Sequence, residues 1–357
     1  MNHRTPAELG YRMPAEWHRH AATWLAWPKD PATWPERVPQ VEEIFLHMMR
    51  MLTPHETVNL LVEDEEAKQS IAERCNFDGA ENIHFHRLST VDSWVRDYGP
   101  NFLVRESNGR RKLAYNDWVF NAWGSKYEDL KRDDAIPKQL EGVLNVPRFE
   151  PGIVMEGGSI EVNGAGVVMT TEQCLLNPNR NPHLDRAGIE QHLKDFLGVE
   201  NVLWLGEGIV GDDTDGHIDD IARFVAPDTI VCALEEDPAD ENYELLRENY
   251  RQLQGATDAR GQNYQVIPLP MPGGISNADA ERLPASYANF YIANNVVLLP
   301  VFGHPRNDRR AVEILQPLFP DRRVVPINCE PLVWGMGTIH CVTQQQPAVA
   351  EGMRAEG

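Results

Sequence analysis

At 357 residues with 42% apolar content, the chain is long enough to bury a sizeable core in one large domain or two ordinary ones. Acidic residues outnumber basic ones 54 to 33, a formal charge of −21, which argues against nucleic acid or an anionic membrane as partner and suits a small cationic ligand. No stretch approaches the roughly eighteen uninterrupted apolar residues of a membrane span. Met1 to Ala26 has no apolar run ahead of a small-residue cleavage site, so the expected location is cytoplasmic.

Elements alternate along the chain. Val38, Val41, Phe45, Met48 and Leu52 recur at helical spacing and stop before Pro54. Val58 to Val62 reads as a strand, and Glu63 to Cys75 as a helix, acidic at its start and basic near its end. Ile189, Leu193 and Phe196 mark a helix closed by Gly198, and Leu246, Tyr250 and Leu253 one closed by Gly255. Val312, Leu315 and Leu318 mark the last helix.

Short strands are expected at Ile83–Leu88, Val146–Phe149, Val202–Leu205, Tyr264–Leu269 and Arg323–Ile327, with centres about sixty residues apart, the period of a repeat architecture. Hairpins start at Val162, Val225 and Ile292, spaced by 63 and 67 residues. This regularity predicts a ring of five modules, each a hairpin, a helix and a further strand. It is read as one domain over residues 1–347, followed by a disordered tail at 348–357.

Four of the five strands are followed by loops rich in glycine and ionisable residues. They contain Asp92 to Pro100, Glu156-Gly157-Gly158, Asp212 to Asp220, and Gly335 to Cys341. Asp97 to Glu156 is 59 residues, Glu156 to His217 is 61, and His217 to Cys341 is 124, close to two periods. Loops at one phase of a ring point into a shared central cavity. Taken alone, each residue has a plainer reading: Asp97 with Arg96 as a loop pair, Glu156 as a turn residue, Cys341 as core. The acidic run around His217 fails the calcium-loop pattern, since Gly211 falls at the first ligand position and Ala222 where a glutamate belongs. The five cysteines, Cys75, Cys174, Cys232, Cys329 and Cys341, include no closely spaced pair, which argues against a structural zinc site or a disulfide framework. On a strand, His340 would face away from the Cys341 thiol, which gives it a structural or supporting role. The fourth module's loop, Pro272 to Asp279, offers no obvious catalytic group.

The conjunction resembles the agmatine deiminase and bacterial peptidyl-arginine deiminase family of the guanidine-modifying superfamily. The resemblance runs through Gly10 to Trp17, Thr23 to Pro28, Asp92 to Pro100, Glu156 to Gly158, Gly216-His-Ile-Asp219 and Ile339-His-Cys-Val-Thr-Gln-Gln-Gln-Pro347. It implies an α/β fold, the five-bladed propeller called the pentein fold, around a central active-site channel. It also implies hydrolysis of agmatine to N-carbamoylputrescine and ammonia, on the way to putrescine, through a covalent cysteine intermediate. By that resemblance Cys341 is the nucleophile, His217 the acid and base, and Glu156 the residue that holds His217. Asp97 and Asp219 grip the guanidinium, and no metal or organic cofactor takes part. Members of the family form homodimers or larger symmetric assemblies. Trp94 has two readings, packing on the substrate's methylene chain or serving as a core aromatic.

The sequence departs from the family in one place. The usual run of three glycines and an asparagine before Ile-His-Cys is here Gly335-Met336-Gly337-Thr338, so substrate preference or rate is expected to differ. Peptidyl-arginine and free-arginine deiminases are the rivals within the family, and an amidinotransferase is the rival by reaction class. A propeller that binds a ligand or metal, with Cys341 inert, is the non-enzymatic alternative.

Overall fold

The computed structural model describes residues 4–107, 109–258 and 260–349. The strands are β1 (His20–Ala26), β2 (Thr57–Val62), β3 (Ile83–Arg87), β4 (Asn101–Ser107), β5 (Arg110–Asn116), β6 (Arg148–Phe149), β7 (Glu161–Val162) and β8 (Val167–Thr171). They continue as β9 (Asn201–Leu205), β10 (Ala222–Ala226), β11 (Thr229–Leu234), β12 (Gln265–Pro270), β13 (Tyr291–Ile292), β14 (Val296–Val301), β15 (Arg323–Asn328) and β16 (Gln344–Pro347). They form five separate sheets, ordered β16-β1-β2-β3, β4-β5-β6, β7-β8-β9, β10-β11-β12 and β13-β14-β15.

Four sheets share one plan: an antiparallel hairpin, a crossover with helix, and a third strand parallel to the second. In the remaining sheet the chain ends meet. β16 pairs antiparallel with β1, from His20 opposite Pro347 to Trp24 opposite Gln344, and β2 and β3 follow in parallel. The hairpin of this blade is made from strands far apart in the chain, which closes the five-bladed propeller and covers the outer edge of β1. Pro347 ends β16. Of the proposed tail, residues 350–357 lie outside the described residues.

The crossover helices form where the apolar spacing places them. Val38–Leu52 buries Val41, Ile44, Phe45, Met48, Met49 and Leu52 on one face. Each such side chain contributes about 1.5–3 kcal/mol of transfer free energy before its entropy cost. Arg186–Leu197 starts with the Asp185 side chain accepting from Gly188 N at 2.9 Å and ends at Gly198 with φ +65°. Gly255 differs from expectation: it is the last residue of helix Asn242–Gly255, and the chain leaves in extended form at Ala256, so no left-handed cap forms. β6 is shorter than the expected Val146–Phe149 because Pro147 has no N–H for the ladder, and only its carbonyl is used, by Tyr115 N.

Apolar side chains pack between neighbouring blades. Leu103 and Ala114 join Val162, Val168, Ile189 and Leu193, while Met169 and Leu205 join Phe224, Ile230 and Leu246. Polar and charged groups gather at the inner junctions instead, among them the buried Glu16, Arg96, Glu161, Asp219, Arg223 and His340. Among the described residues no helix is long and apolar enough to cross a membrane.

Candidate active site

The third strand of each blade runs into a junction that leads to the first strand of the next. Asp97 sits there in the helical turn Val95–Tyr98, Glu156 just before the turn Gly157–Ser159, and His217 just before the turn Ile218–Asp220. Cys341 occupies the junction between β15 and β16. The fourth junction supplies Asn289, so every blade contributes one polar or nucleophilic side chain, each two to five residues ahead of a strand.

These groups converge. His217 Nδ1 lies 3.8 Å from Asp97 Oδ1, and its Nε2 lies 3.8 Å from Glu156 Oε2. Cys341 Sγ is 3.9 Å from Asp219 Oδ2 and 3.2 Å from Asn289 Nδ2. A Cβ added to Gly158 would fall 2.6 Å from His217 Nδ1, 2.8 Å from Asp97 Oδ1 and 3.0 Å from Asp219 Oδ2, which shows how tightly the three groups surround it. Its N–H donates to Asp97 Oδ1 at 2.9 Å. A Cβ on Gly337 would meet Trp94 at 2.8 Å and the sulfur at 3.1 Å. Met336 beside it is a non-glycine residue at φ +72°, in the stretch that departs from the three-glycine pattern.

The charges in this buried site are interdependent. Burial works against a charged His217, yet Asp97, with Cys174 and Glu156 close by, raises its pKa well above the ordinary imidazole range. Burial pushes Asp97 up to about 6; His217 restrains it, while Asp219 and Glu156 add to the rise. Burial opposes ionisation of Glu156, but the Arg180 guanidinium and His217 hold its pKa below the usual value. Asp219 is likewise lowered against its own burial, chiefly by a hydrogen bond from His340. Burial, then Asp219, Asp220 and Asp97, raise the Cys341 thiol well above the normal range. A cation between Asp97, Asp219 and the sulfur would favour the ionised forms of Asp97 and of the thiol.

The site opens into a cavity of about 500 Å³, lined by Trp94, Trp123, Tyr127, Asp213, Met336 and Cys341 among others. Trp94 is 4% exposed, packs on Trp34 at 5.5 Å and donates to Asp92 Oδ2 at 2.9 Å, so its ring is both core aromatic and cavity wall.

Several contributors are not visible in the sequence pattern. Arg180 Nε bonds Glu156 Oε1 at 2.7 Å. Trp123 Nε1 donates to Asp97 Oδ2 at 2.9 Å from a turn in which Ala122, Trp123, Gly124 and Ser125 all have positive φ. The only advance signal is the glycine in that segment. His340 overturns one expectation. Residues 339–342 form turns, with Val342 N bonded to Thr338 O at 3.3 Å, so the alternation of a strand does not apply. Its ring bridges Asp219 and Glu16 at 2.6 and 2.7 Å. Glu156, Cys174 and His217 bring one ligand-type atom each within 4.8 Å of one another. Arg180 lies on the same carboxylate, so a divalent cation there would face a fixed positive charge.

Residues 12–347 match the family described as Porphyromonas-type peptidyl-arginine deiminase. The chain is 38% identical to an agmatine deiminase of Stutzerimonas stutzeri, covering 96% of this chain and 97% of the relative. It is 36% identical to the agmatine deiminase of Medicago truncatula, covering 97% and 98%. The solved agmatine deiminase of Enterococcus faecalis superposes with a TM-score of 0.89 at 33% identity, covering 98% of this chain and 99% of that one. A cysteine-to-serine C. jejuni agmatine deiminase with substrate bound gives 0.85 at 28%, covering 96% and 97%. Fold, matched length and relatives agree, and the chain belongs to the Porphyromonas-type peptidyl-arginine deiminase family.

Proposed function

We propose that this chain is an agmatine deiminase, hydrolysing agmatine to N-carbamoylputrescine and ammonia through a covalent adduct on Cys341. The observation that carries the choice of substrate is the charge of the cavity wall. Asp30, Asp92, Glu128, Asp129 and Asp213 line it, and its one basic residue, Lys126, is engaged by the Asp213 carbonyl and by Asp215 at 2.7 Å. Such a wall favours the ammonium at the far end of agmatine over the carboxylate of free arginine.

The geometry supports the following chemistry. Asp97 and Asp219 pair with the guanidinium nitrogens and hold the central carbon over Sγ. The bound positive charge offsets the acids that suppress thiol ionisation, and the thiol releases its proton to solvent. The thiolate adds to the carbon, and the tetrahedral adduct forms with a new C–S bond. Protonated His217 gives its proton to one nitrogen, the C–N bond breaks, ammonia leaves, and a thiouronium remains on the cysteine. Neutral His217 then takes a proton from water as the hydroxide adds to carbon. Collapse of that second adduct breaks the C–S bond, returns a proton to sulfur and releases the ureido product. Arg180 keeps Glu156 charged, and Glu156 keeps His217 in place.

A single domain ending at Pro347, a homodimer and a cytoplasmic location belong to the same proposal. Ureido product is to be measured from agmatine, arginine and an arginyl peptide side by side, for the native chain and for Cys341→Ser and His217→Ala. Turnover of agmatine alone, abolished in both variants, is expected. Faster turnover of arginine or of the peptide would overturn the substrate choice, and an active Cys341→Ser protein would overturn the mechanism.

A further inference from the structure

We propose that Asn289 is a catalytic residue that donates a hydrogen bond from Nδ2 to the Cys341 thiolate, and that Thr338 is the positioning residue that aims the amide at the sulfur. The inference rests on Cys341 being the nucleophile and adds a fifth blade's contribution to the reaction.

Asn289 is fully buried, and its Nδ2 lies 3.2 Å from Sγ. The orientation of the amide is set by what surrounds its other atom. Oδ1 accepts from Thr338 Oγ1 at 2.7 Å and from His340 N at 3.0 Å. A backbone N–H can only donate, so the oxygen must face His340 and the nitrogen is left facing the sulfur. The same Oδ1 stands 3.5 Å from Sγ, within reach of the S–H of the neutral thiol. One side chain therefore serves both states, accepting from the thiol before ionisation and donating to the thiolate after it.

The surroundings make that donor matter. Asp219 Oδ2 stands 3.9 Å from the sulfur, and after burial its charge and those of Asp220 and Asp97 oppose a thiolate, while the Thr338 main chain favours it. His340 is committed to Asp219, and His217 lies against Asp97. Asn289 meets the sulfur with a neutral N–H that no titration can remove. Thr338 stands where the family pattern has asparagine, and the stiff rotamer of a β-branched residue holds its hydroxyl on Asn289.

Alkylation of Cys341 by iodoacetamide, a neutral probe, is to be followed by peptide mass spectrometry across pH 6–10.5, with agmatine turnover measured in parallel. The proteins are the native chain, Asn289→Ala, Thr338→Val and Thr338→Ser. Loss of a donor to a charged acceptor predicts that Asn289→Ala slows both reactions at pH 8 by about 10- to 100-fold and moves the alkylation profile to higher pH. Thr338→Val, nearly isosteric, should move both the same way by about 2- to 10-fold, and Thr338→Ser should restore native behaviour. If Asn289→Ala does not fold, the valine and serine pair carries the test. A Thr338→Val protein with native profile and turnover overturns the inference, as does a serine variant that behaves like valine. An active Cys341→Ser protein would instead sink the nucleophile reading beneath it, so the two failures are distinguishable.

Discussion

His340 Nδ1 lies 2.6 Å from Asp219 Oδ2, with both side chains buried, and Nε2 of the same ring lies 2.7 Å from Glu16 Oε2. The ring is a strut. It joins a carboxylate proposed to hold the substrate to the N-terminal segment, where Glu16 also meets Arg223 at 3.0 Å and Arg96 at 3.5 Å. Removing the strut leaves Asp219 buried without the hydrogen bond that most lowers its pKa. His340→Leu is therefore expected to weaken agmatine binding by about 10- to 100-fold, the worth of a hydrogen bond to a charged group. Calorimetric titration of agmatine into the His340→Leu, Cys341→Ser double variant and its Cys341→Ser parent checks this. Equal affinities would show that Asp219 needs no strut.

Asp97 is expected to set the acid limit of agmatine binding. Its carboxyl is pushed up to about 6 by burial, with His217 opposing and Asp219 and Glu156 adding. The ionised form is the one proposed to grip the guanidinium, and below about pH 6 the group is increasingly protonated. Affinity is lost as pH falls, by about tenfold per unit once below that value. Agmatine titrated into Cys341→Ser between pH 4.5 and 8 isolates binding from thiol ionisation. An affinity constant down to pH 5 would contradict this assignment.

Arg180 and Glu156 form a pair whose side chains are both fully buried. Arg180→Met removes the larger of the two charges that hold the Glu156 carboxylate below its usual range and leaves the buried acid with His217 as its compensating neighbour. Breaking one side of a buried ion pair costs about 3–5 kcal/mol of stability. Urea unfolding is expected to show that loss, and agmatine turnover to fall at least about tenfold as His217 loses its fixed neighbour. Native stability in Arg180→Met would place the balance of charge elsewhere.

How much of this was legible depended on which physical signal each residue carries. The third strands that begin at Ile83, Asn201, Gln265 and Arg323 and the hairpins near Val162, Val225 and Ile292 were visible because apolar runs recur, whereas the β4–β5 hairpin and the β16–β1 pairing were not. Asp97, Glu156, His217 and Cys341 were visible because ionisable residues recur at one phase of that period, and the geometry brings them together. Asn289 was not. The fourth junction is lengthened by a loop in which Ser276 bridges Arg282, so Asn289 falls 72 residues after His217, and an amide stands out neither by charge nor by composition. Arg180 and Trp123 lie in crossover segments between second and third strands, outside the periodic junctions, and their roles exist only through tertiary contact. The strand alternation assigned to Ile339-His340-Cys341 failed because the segment is a tight turn, where alternation has no meaning.

Gly158 gives a test of how closely the site is packed. Its Cα lies where His217, Asp97 and Asp219 meet, and an added methyl would press within 3.0 Å of an atom of each. None of the three has free space to swing into, since Asp97 is held by Trp123, Asp219 by His340, and His217 is buried. Gly158→Ala must therefore shift at least one of them, and a displacement of order 1 Å at reacting groups costs about 100-fold in rate. Overpacking costs only about 1–3 kcal/mol in stability, so the fold should survive. Gly255 supplies the control: at the end of a helix, with nothing within 4 Å of an added Cβ, Gly255→Ala should leave turnover unchanged. Steady-state turnover with thermal melts separates the two variants. A Gly158→Ala protein as active as Gly255→Ala would mean that the three groups tolerate displacement, and their proposed grip on a planar cation would lose its geometric basis.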